Sequence, residues 1–258
     1  MINRLALVAL TFVLMTATTA RAATVFAQTG QNGTTNQFMI LQNPAGIVTI
    51  STALGSQDYF DYLVGGTPFS APVLANFALS VTSNQTGACG SLTCPNGDTL
   101  TEQGYHGTFS YTVAGGAYNG DNLLSGTFNV NGTPTNSGGK LGATIGGTQG
   151  NFDGTQTAGN LNGIVFTSDF LNFAGVTVET GSWGLSALSP SFSVDPTVTG
   201  ISLPALGTTF SGANVGSFSS QQAPTVVPEP VTILLLGSSL VGLGLIRRKR
   251  LLHLRKSA

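Results

Sequence analysis

Short runs in which apolar and polar residues alternate at every second position set the tightest limit on how this chain can fold. Phe77-Ala78-Leu79-Ser80-Val81-Thr82 is one such run and Thr108-Phe109-Ser110-Tyr111-Thr112-Val113 another. Gly126-Thr127-Phe128-Asn129-Val130 and Val176-Thr177-Val178-Glu179 continue the pattern. Side chains change sides with a period of two only along an extended strand, so each run offers one apolar face and one hydroxyl face. Gly, Asn and Pro break the runs, and no long stripe of helix formers at 3.6-residue spacing lies between them. Further strands are predicted over residues 37–41, 47–52, 163–170, 183–187, 198–203 and 208–218. Gly115-Gly116 and Asn119-Gly120 separate two of the runs, which predicts a hairpin between 108–113 and 123–130. About ten to thirteen short strands in one stretch predict a single all-β domain, a β-sandwich of jelly-roll type, over residues 23–218. The 15 Phe would fill its core. Residues 131–160 carry the weakest pattern and read as a long loop or irregular Gly-rich strands, and residues 219–227 as a flexible linker.

Charge is scarce and segregated. Asp, Glu, Lys and Arg make up 7% of the chain, against about 25% in ordinary soluble domains. Of the nine Lys and Arg, Arg4 and Arg21 stand at the beginning and six follow residue 246, which leaves Lys140 alone between them. Residues 23–227 therefore carry one positive and nine negative side chains, a net charge of about −8, although the whole chain sums to −1. An acidic body of this kind excludes nucleic acid as a partner, because a phosphate backbone is held by clustered cations.

The two ends agree on a destination. Arg4, an apolar stretch from residue 5 to about residue 15, and Ala20-Arg21-Ala22 before Ala23 have the order of a secretory signal peptide. Residues 1–22 are thus predicted to form a signal helix, removed between Ala22 and Ala23 after passage into the export translocon. At the other end Val227-Pro228-Glu229-Pro230 precedes an uncharged segment, residues 231–246, and then Arg247-Arg248-Lys249-Arg250. As a helix that segment would be about 24 Å long, short of a hydrocarbon core of about 30 Å, and the stems of the flanking arginines can extend it. The basic block places the C-terminus in the cytoplasm and the body outside. Pro228 and Pro230 keep the backbone around Glu229 out of a helix, leaving an extended peptide above the bilayer.

Pro-Glu-Pro, a transmembrane segment and an Arg-rich end, in that order, resemble the PEP-CTERM sorting signal. The resemblance spans residues 227–250, and residues 228–258 are read as the sorting tail. It implies export by a Gram-negative bacterium that makes extracellular polysaccharide. It also implies recognition and cutting near Pro228-Glu229-Pro230 by exosortase, a membrane-embedded cysteine transpeptidase-like protease. The protein would then pass from a single-pass inner-membrane intermediate to the cell surface or extracellular matrix.

Side chains that carry chemistry are few. Cys89 and Cys94 are the only cysteines, with four residues between them, and in an oxidising compartment they predict a local disulfide. His106 is the only histidine of the body, and no nucleophile elbow accompanies it. Asp58 and Asp61 would flank a glycosidic bond or a calcium ion only if they converged, whereas on a strand they face opposite sides. Asn119-Gly120-Asp121 and Asn151-Phe152-Asp153-Gly154 read as turns. No catalytic residue, metal site or cofactor is assigned. The reading is an exported, non-enzymatic surface or matrix protein associated with exopolysaccharide. One alternative is a carbohydrate-binding module with Trp183, Tyr59 and Tyr62 as its platform, or an ice-binding one, although no regular Thr ladder stands out. A secreted hydrolase built on His106 and two carboxylates is the other.

Overall fold

The computed structural model describes residues 23–33, 37–43, 47–83, 88–89, 95–128, 138–156, 164–176, 178–192 and 209–227. Fifteen strands run through them. They are β1 (Thr24–Gln31), β2 (Phe38–Gln42), β3 (Val48–Thr52), β4 (Gln57–Tyr62), β5 (Val73–Ser83), β6 (Ala88–Cys89), β7 (Thr99–Val113), β8 (Asn122–Phe128), β9 (Gly139–Thr144), β10 (Gly150–Gln156), β11 (Ile164–Thr167), β12 (Leu171–Asn172), β13 (Glu179–Ser189), β14 (Thr209–Ser220) and β15 (Thr225–Val226). The all-β expectation holds, and among the described residues no helix is long and apolar enough to cross a membrane. The predicted signal helix and transmembrane helix, with Pro228-Glu229-Pro230 and the basic block, lie outside the described residues. So does Cys94, and with it the predicted disulfide to Cys89.

The long strands each accept two short partners laid end to end. β1 pairs with the last part of β14, Thr24 opposite Ser220, and β2 continues along its first part, Phe38 opposite Gly212. β4 and β3 divide one edge of β5 in the same way. β7 carries β8 from Thr112 to Gly107 and β9 from Tyr105 to Thr99, with a register shift between Glu102 and Tyr105. Hydrogen bonds then run from β14 through β2, β3, β5, β7, β9, β10 and β13 back to β14. A second circuit takes β1 and β4 in place of β2 and β3. Every pairing is antiparallel, so the sheet is closed on itself as an eight-row barrel. This corrects the jelly-roll sandwich: one ring of strands replaces two facing sheets. Closure removes most of the free edges that two sheets would leave, β11 keeping one side without a strand partner among the described residues, and eight rows enclose a space that side chains alone can fill.

Aromatic rings fill it. Trp183 lies with its ring centroid 4.9 Å from Phe109, 5.3 Å from Phe218 and 5.7 Å from both Phe128 and Phe152. All five are buried, and each buried Phe contributes about 1.5–3 kcal/mol through apolar burial alone. Glycines at inward positions make room for these rings. A methyl group on Gly154 would stand 2.6 Å from Phe128 and one on Gly139 2.6 Å from Phe152. This packing explains why residues 131–160, weak in alternation, nevertheless supply β9 and β10.

The barrel has two poles. At one, which receives Thr24, Val113, Thr167 and Ser220, the loops 63–72 and 114–121 and the segment 168–176 fold inward. Phe69 meets Phe170 at 4.9 Å and Tyr118 at 5.3 Å, closing this pole with rings. The residues predicted as a flexible linker are tied down here. Ser219 and Ser220 complete β14, and Thr225–Val226 pairs with Leu171–Asn172. Gln221 N donates to Val178 O and Val227 N to Phe170 O. The opposite pole carries the turn between β9 and β10 and the start of β7.

Candidate binding face

Outward residues of β3, β4, β5, β7, β8 and β11 form one surface whose rows follow the strand register. Ser51, Ser80, Thr108 and Thr127 are successive partners across four strands. Ala78, Ser110, Ser125 and Thr167 form the next row, and Thr49, Thr82 and His106 another. Gln57, Asn76, Thr112 and Asn122 run parallel to them. Neighbouring rows of a sheet stand about 4.8 Å apart between strands, and same-side residues about 6.7 Å apart along one. A shallow depression of about 400 Å³ lies in this face, bordered by Thr52, Ser80, Thr108, Ser110, Ser125, Thr127 and Thr167. No charged side chain lines it.

The hydroxyls at its centre are unpartnered. Among the described residues Ser80, Thr108, Ser110 and Thr127 make no side-chain hydrogen bond. Around the rim, Thr82 Oγ1 and His106 Nε2 are 3.2 Å apart, Ser125 Oγ donates to Asn122 Oδ1 at 2.7 Å, and Gln57 Nε2 donates to Asn76 Oδ1 at 2.9 Å. Gly107 sets the depth of the face. Its φ is +140°, and a side chain there would run into the Ser80 carbonyl oxygen and Val81 Cα. Only glycine lets β5 and β7 come this close.

The rest of the predicted chemistry is dispersed. Asp58 points inward and is fully buried, while Asp61 is directed outward. Gln37 Nε2 donates to Asp58 Oδ1, Asn214 Nδ2 donates to Asp58 Oδ2 at 3.3 Å, and Asn214 N donates to Gln37 Oε1 at 2.9 Å. Desolvation raises the Asp58 carboxyl to about 7 against hydrogen bonds from Asn214 and Gln37 that favour the charged form. Burial, helped by Asp58, also raises the Tyr111 hydroxyl, which accepts a hydrogen bond from Trp183 Nε1 at 3.0 Å. Glu179 is a second inward carboxylate. Its Oε2 accepts from Phe166 N at 2.6 Å, supplying a partner for β11 where β13 begins, and burial lifts it to about 7. His106 is exposed on the outer face. Among the described residues no three His, Cys, Asp or Glu side chains gather as metal ligands would.

Two aromatic platform residues are lost to the interior. Trp183 is 1% exposed, and the half-buried Tyr62 donates its hydroxyl to Leu123 O at 2.6 Å. Tyr59 alone of the three is exposed, on β4. Asn151-Phe152-Asp153-Gly154 is part of β10 rather than a turn, and Asn119 keeps its turn role, accepting from Gly115 N at 2.7 Å. The unpartnered hydroxyl rows were not singled out from the sequence. Their signal was the alternation itself, in the Ser and Thr of residues 80–82 and 108–112. No protein-family model matches this chain, and neither a curated protein nor a solved structure does.

Proposed function

We propose that this is an exported, non-enzymatic cell-surface or extracellular-matrix protein whose barrel lies against uncharged exopolysaccharide through the hydroxyl face. The observation that carries the reading is the set of unpartnered hydroxyls of Ser80, Thr108, Ser110 and Thr127 in a depression without charge. A sugar chain presents the same groups at similar density, so hydrogen bonds and bridging waters can be exchanged across such a surface. The acidic body, with Lys140 its one cation, repels anionic glycans. Contact is through hydroxyls rather than through ring stacking, since Trp183 is inside.

Sorting is assigned to the ends. Residues 1–22 enter the export translocon and are removed between Ala22 and Ala23. Residues 231–246 hold the chain in the inner membrane with Arg247, Arg248, Lys249 and Arg250 in the cytoplasm. An exosortase-like protease cuts near Pro228-Glu229-Pro230, and the body passes to the surface or matrix. The described strands, all between Thr24 and Val226, support this division, because the barrel closes without either end.

Retention on immobilised polysaccharide tests the binding role. Binding to an uncharged glucan that survives raised salt, with none to a polyuronate, is expected. Unchanged retention of the double variant Ser80→Glu, Thr108→Glu would overturn the assignment of the face. Mass spectrometry of surface-released protein tests the sorting role, and a mature form still containing residues 231–258 would sink it.

A further inference from the structure

Both ends of the barrel's chain leave from one pole. Thr24 opens β1 directly opposite Ser220, the last residue of β14. Five residues later Thr225 pairs with Asn172, and Val227 N is bonded to Phe170 O. Leu63 N, at the start of the loop that helps to close this pole, donates to Phe26 O of β1. Ala23 and Val227 are therefore fixed on the same end of the molecule. Residues 228–230 add at most about 10 Å of extended chain before the apolar segment begins.

We infer that, while the tail is in the bilayer, this ring-plugged pole faces the membrane surface and the opposite pole points away, with the hydroxyl face standing upright between them. The inference rests on the reading of residues 231–246 as a membrane segment. The short connection imposes the orientation. Attraction between the pole and lipid does not, since its charged groups include Asp61, Asp121 and Asp169 and no cation is described there. With 15 residues in β7, a strand tilt of about 40° puts the far pole roughly 40 Å higher. That height presents the hydroxyl rows side-on to whatever polymer lies along the cell surface, and a bilayer is the partner of the pole itself.

The test uses the full chain in zwitterionic phosphatidylcholine vesicles containing a nitroxide-headgroup lipid as short-range quencher. A fluorescent amino acid is placed at Ser70, in the exposed loop of the plugged pole, or at Gln149, exposed in the turn between β9 and β10. Ala71 and Thr148 serve as second positions should either substitution disturb folding. Alkaline extraction establishes whether the chain stays with the vesicles. Retention with several-fold stronger quenching at Ser70 and Ala71 than at Gln149 and Thr148 is the expected result. Retention with equal quenching at both poles overturns the orientation and leaves the membrane segment standing. Complete release by alkali overturns both.

Discussion

The two flanks of the barrel are built from the same polar residues and use them differently. Across β9, β10, β13, β14, β1 and β4 one outward row reads Lys140, Asp153, Ser182, Ser217, Gln28 and Asp61. Four of its six members, Asp153, Ser182, Gln28 and Asp61, hold side-chain hydrogen bonds with one another or with the neighbouring Asn151. Asn151 Nδ2 donates to Asp153 Oδ2 at 2.7 Å, Ser182 Oγ to Asn151 Oδ1 at 3.0 Å, and Gln28 Nε2 to Asp61 Oδ2 at 3.3 Å. Amides and carboxylates reach across the gap between strands there. On the other flank hydroxyl stands opposite hydroxyl, Ser80 beside Thr108 and Thr108 beside Thr127, and these pairs make no bond. One flank is largely paired within itself, whereas the centre of the other presents its hydrogen-bonding capacity to the outside, so an outward Ser or Thr means little until its cross-strand neighbour is known.

Glycine substitution breaks the comparison most forcefully. Gly107→Ala, under the open flank, combines an unfavourable φ with a backbone collision and is expected to cost about 4 kcal/mol, a fall of roughly 10 °C in Tm. Gly184→Ala, on the more paired flank, meets Val215 alone, at ordinary contact distances of 3.5 Å to Cγ2 and 3.9 Å to its carbonyl oxygen, and should change Tm by no more than about 2 °C. Equal melting temperatures by calorimetry would remove the claim that β5 and β7 are held by a close approach.

Asp58 and Asp61 sharpen the contrast between inside and outside on a single strand. The folded Asp58 carboxyl titrates at about 7 against 3.8 in the unfolded chain, so the unfolded state releases this proton first as pH rises. The Asp58 contribution to stability is therefore full below pH 3.8, falls by roughly 3 kcal/mol between pH 4 and pH 7, and levels off above it. Glu179, raised from 4.5 to about 7, works in the same direction. Urea denaturation between pH 4 and pH 8 should show this slope in the wild type and in Asp61→Asn, and a shallower one in Asp58→Asn. A wild type more stable at pH 8 than at pH 4 would refute it.

Smaller effects separate the flanks themselves. Thr108→Glu should weaken glucan retention about tenfold, roughly 1.4 kcal/mol, by placing a charge in the depression, whereas Thr180→Glu should leave it unchanged. Thr180→Ala removes the bond from Thr180 Oγ1 to Thr155 Oγ1, 3.3 Å long, and should cost about 0.5 kcal/mol, while Thr127→Ala costs about nothing. A double-mutant cycle on Thr155 and Thr180, with Thr108 and Thr127 as its counterpart, measures the difference directly.

Where inward positions are large and apolar, the sequence was legible. Phe77, Leu79 and Val81 announce β5, and Phe109, Tyr111 and Val113 announce the second half of β7. The predicted hairpin is present as β7 and β8, with Ser110 opposite Ser125. β9 and β10 were obscured because glycine stands at inward positions 139 and 154, giving its volume to Phe152 and Phe128. β4 was obscured by Asp58, a carboxylate at a core position that only Gln37 and Asn214, distant in sequence, make tolerable. Barrel closure was hidden for a related reason: the alternation in β1 and β14 shows which face is buried and says nothing of which strand lies alongside. The candidate face was half legible. Its hydroxyls could be read from alternation, but their lack of partners follows from register.

The pairing of β1 with β14 also bears on the order in which the barrel can be made. Gly216 N donates to Thr29 Oγ1 across 187 residues of sequence, so the ring closes only with strands from the two extremes of the domain. Contacts this remote are costly in chain entropy and form slowly. A chain emerging from its N-terminus must keep β1 and β2 waiting, apolar side exposed, until residues 209–220 arrive. The domain is thus expected to assemble in one late step and to depend on holding factors until then, and a chain ending at residue 208 should remain unfolded.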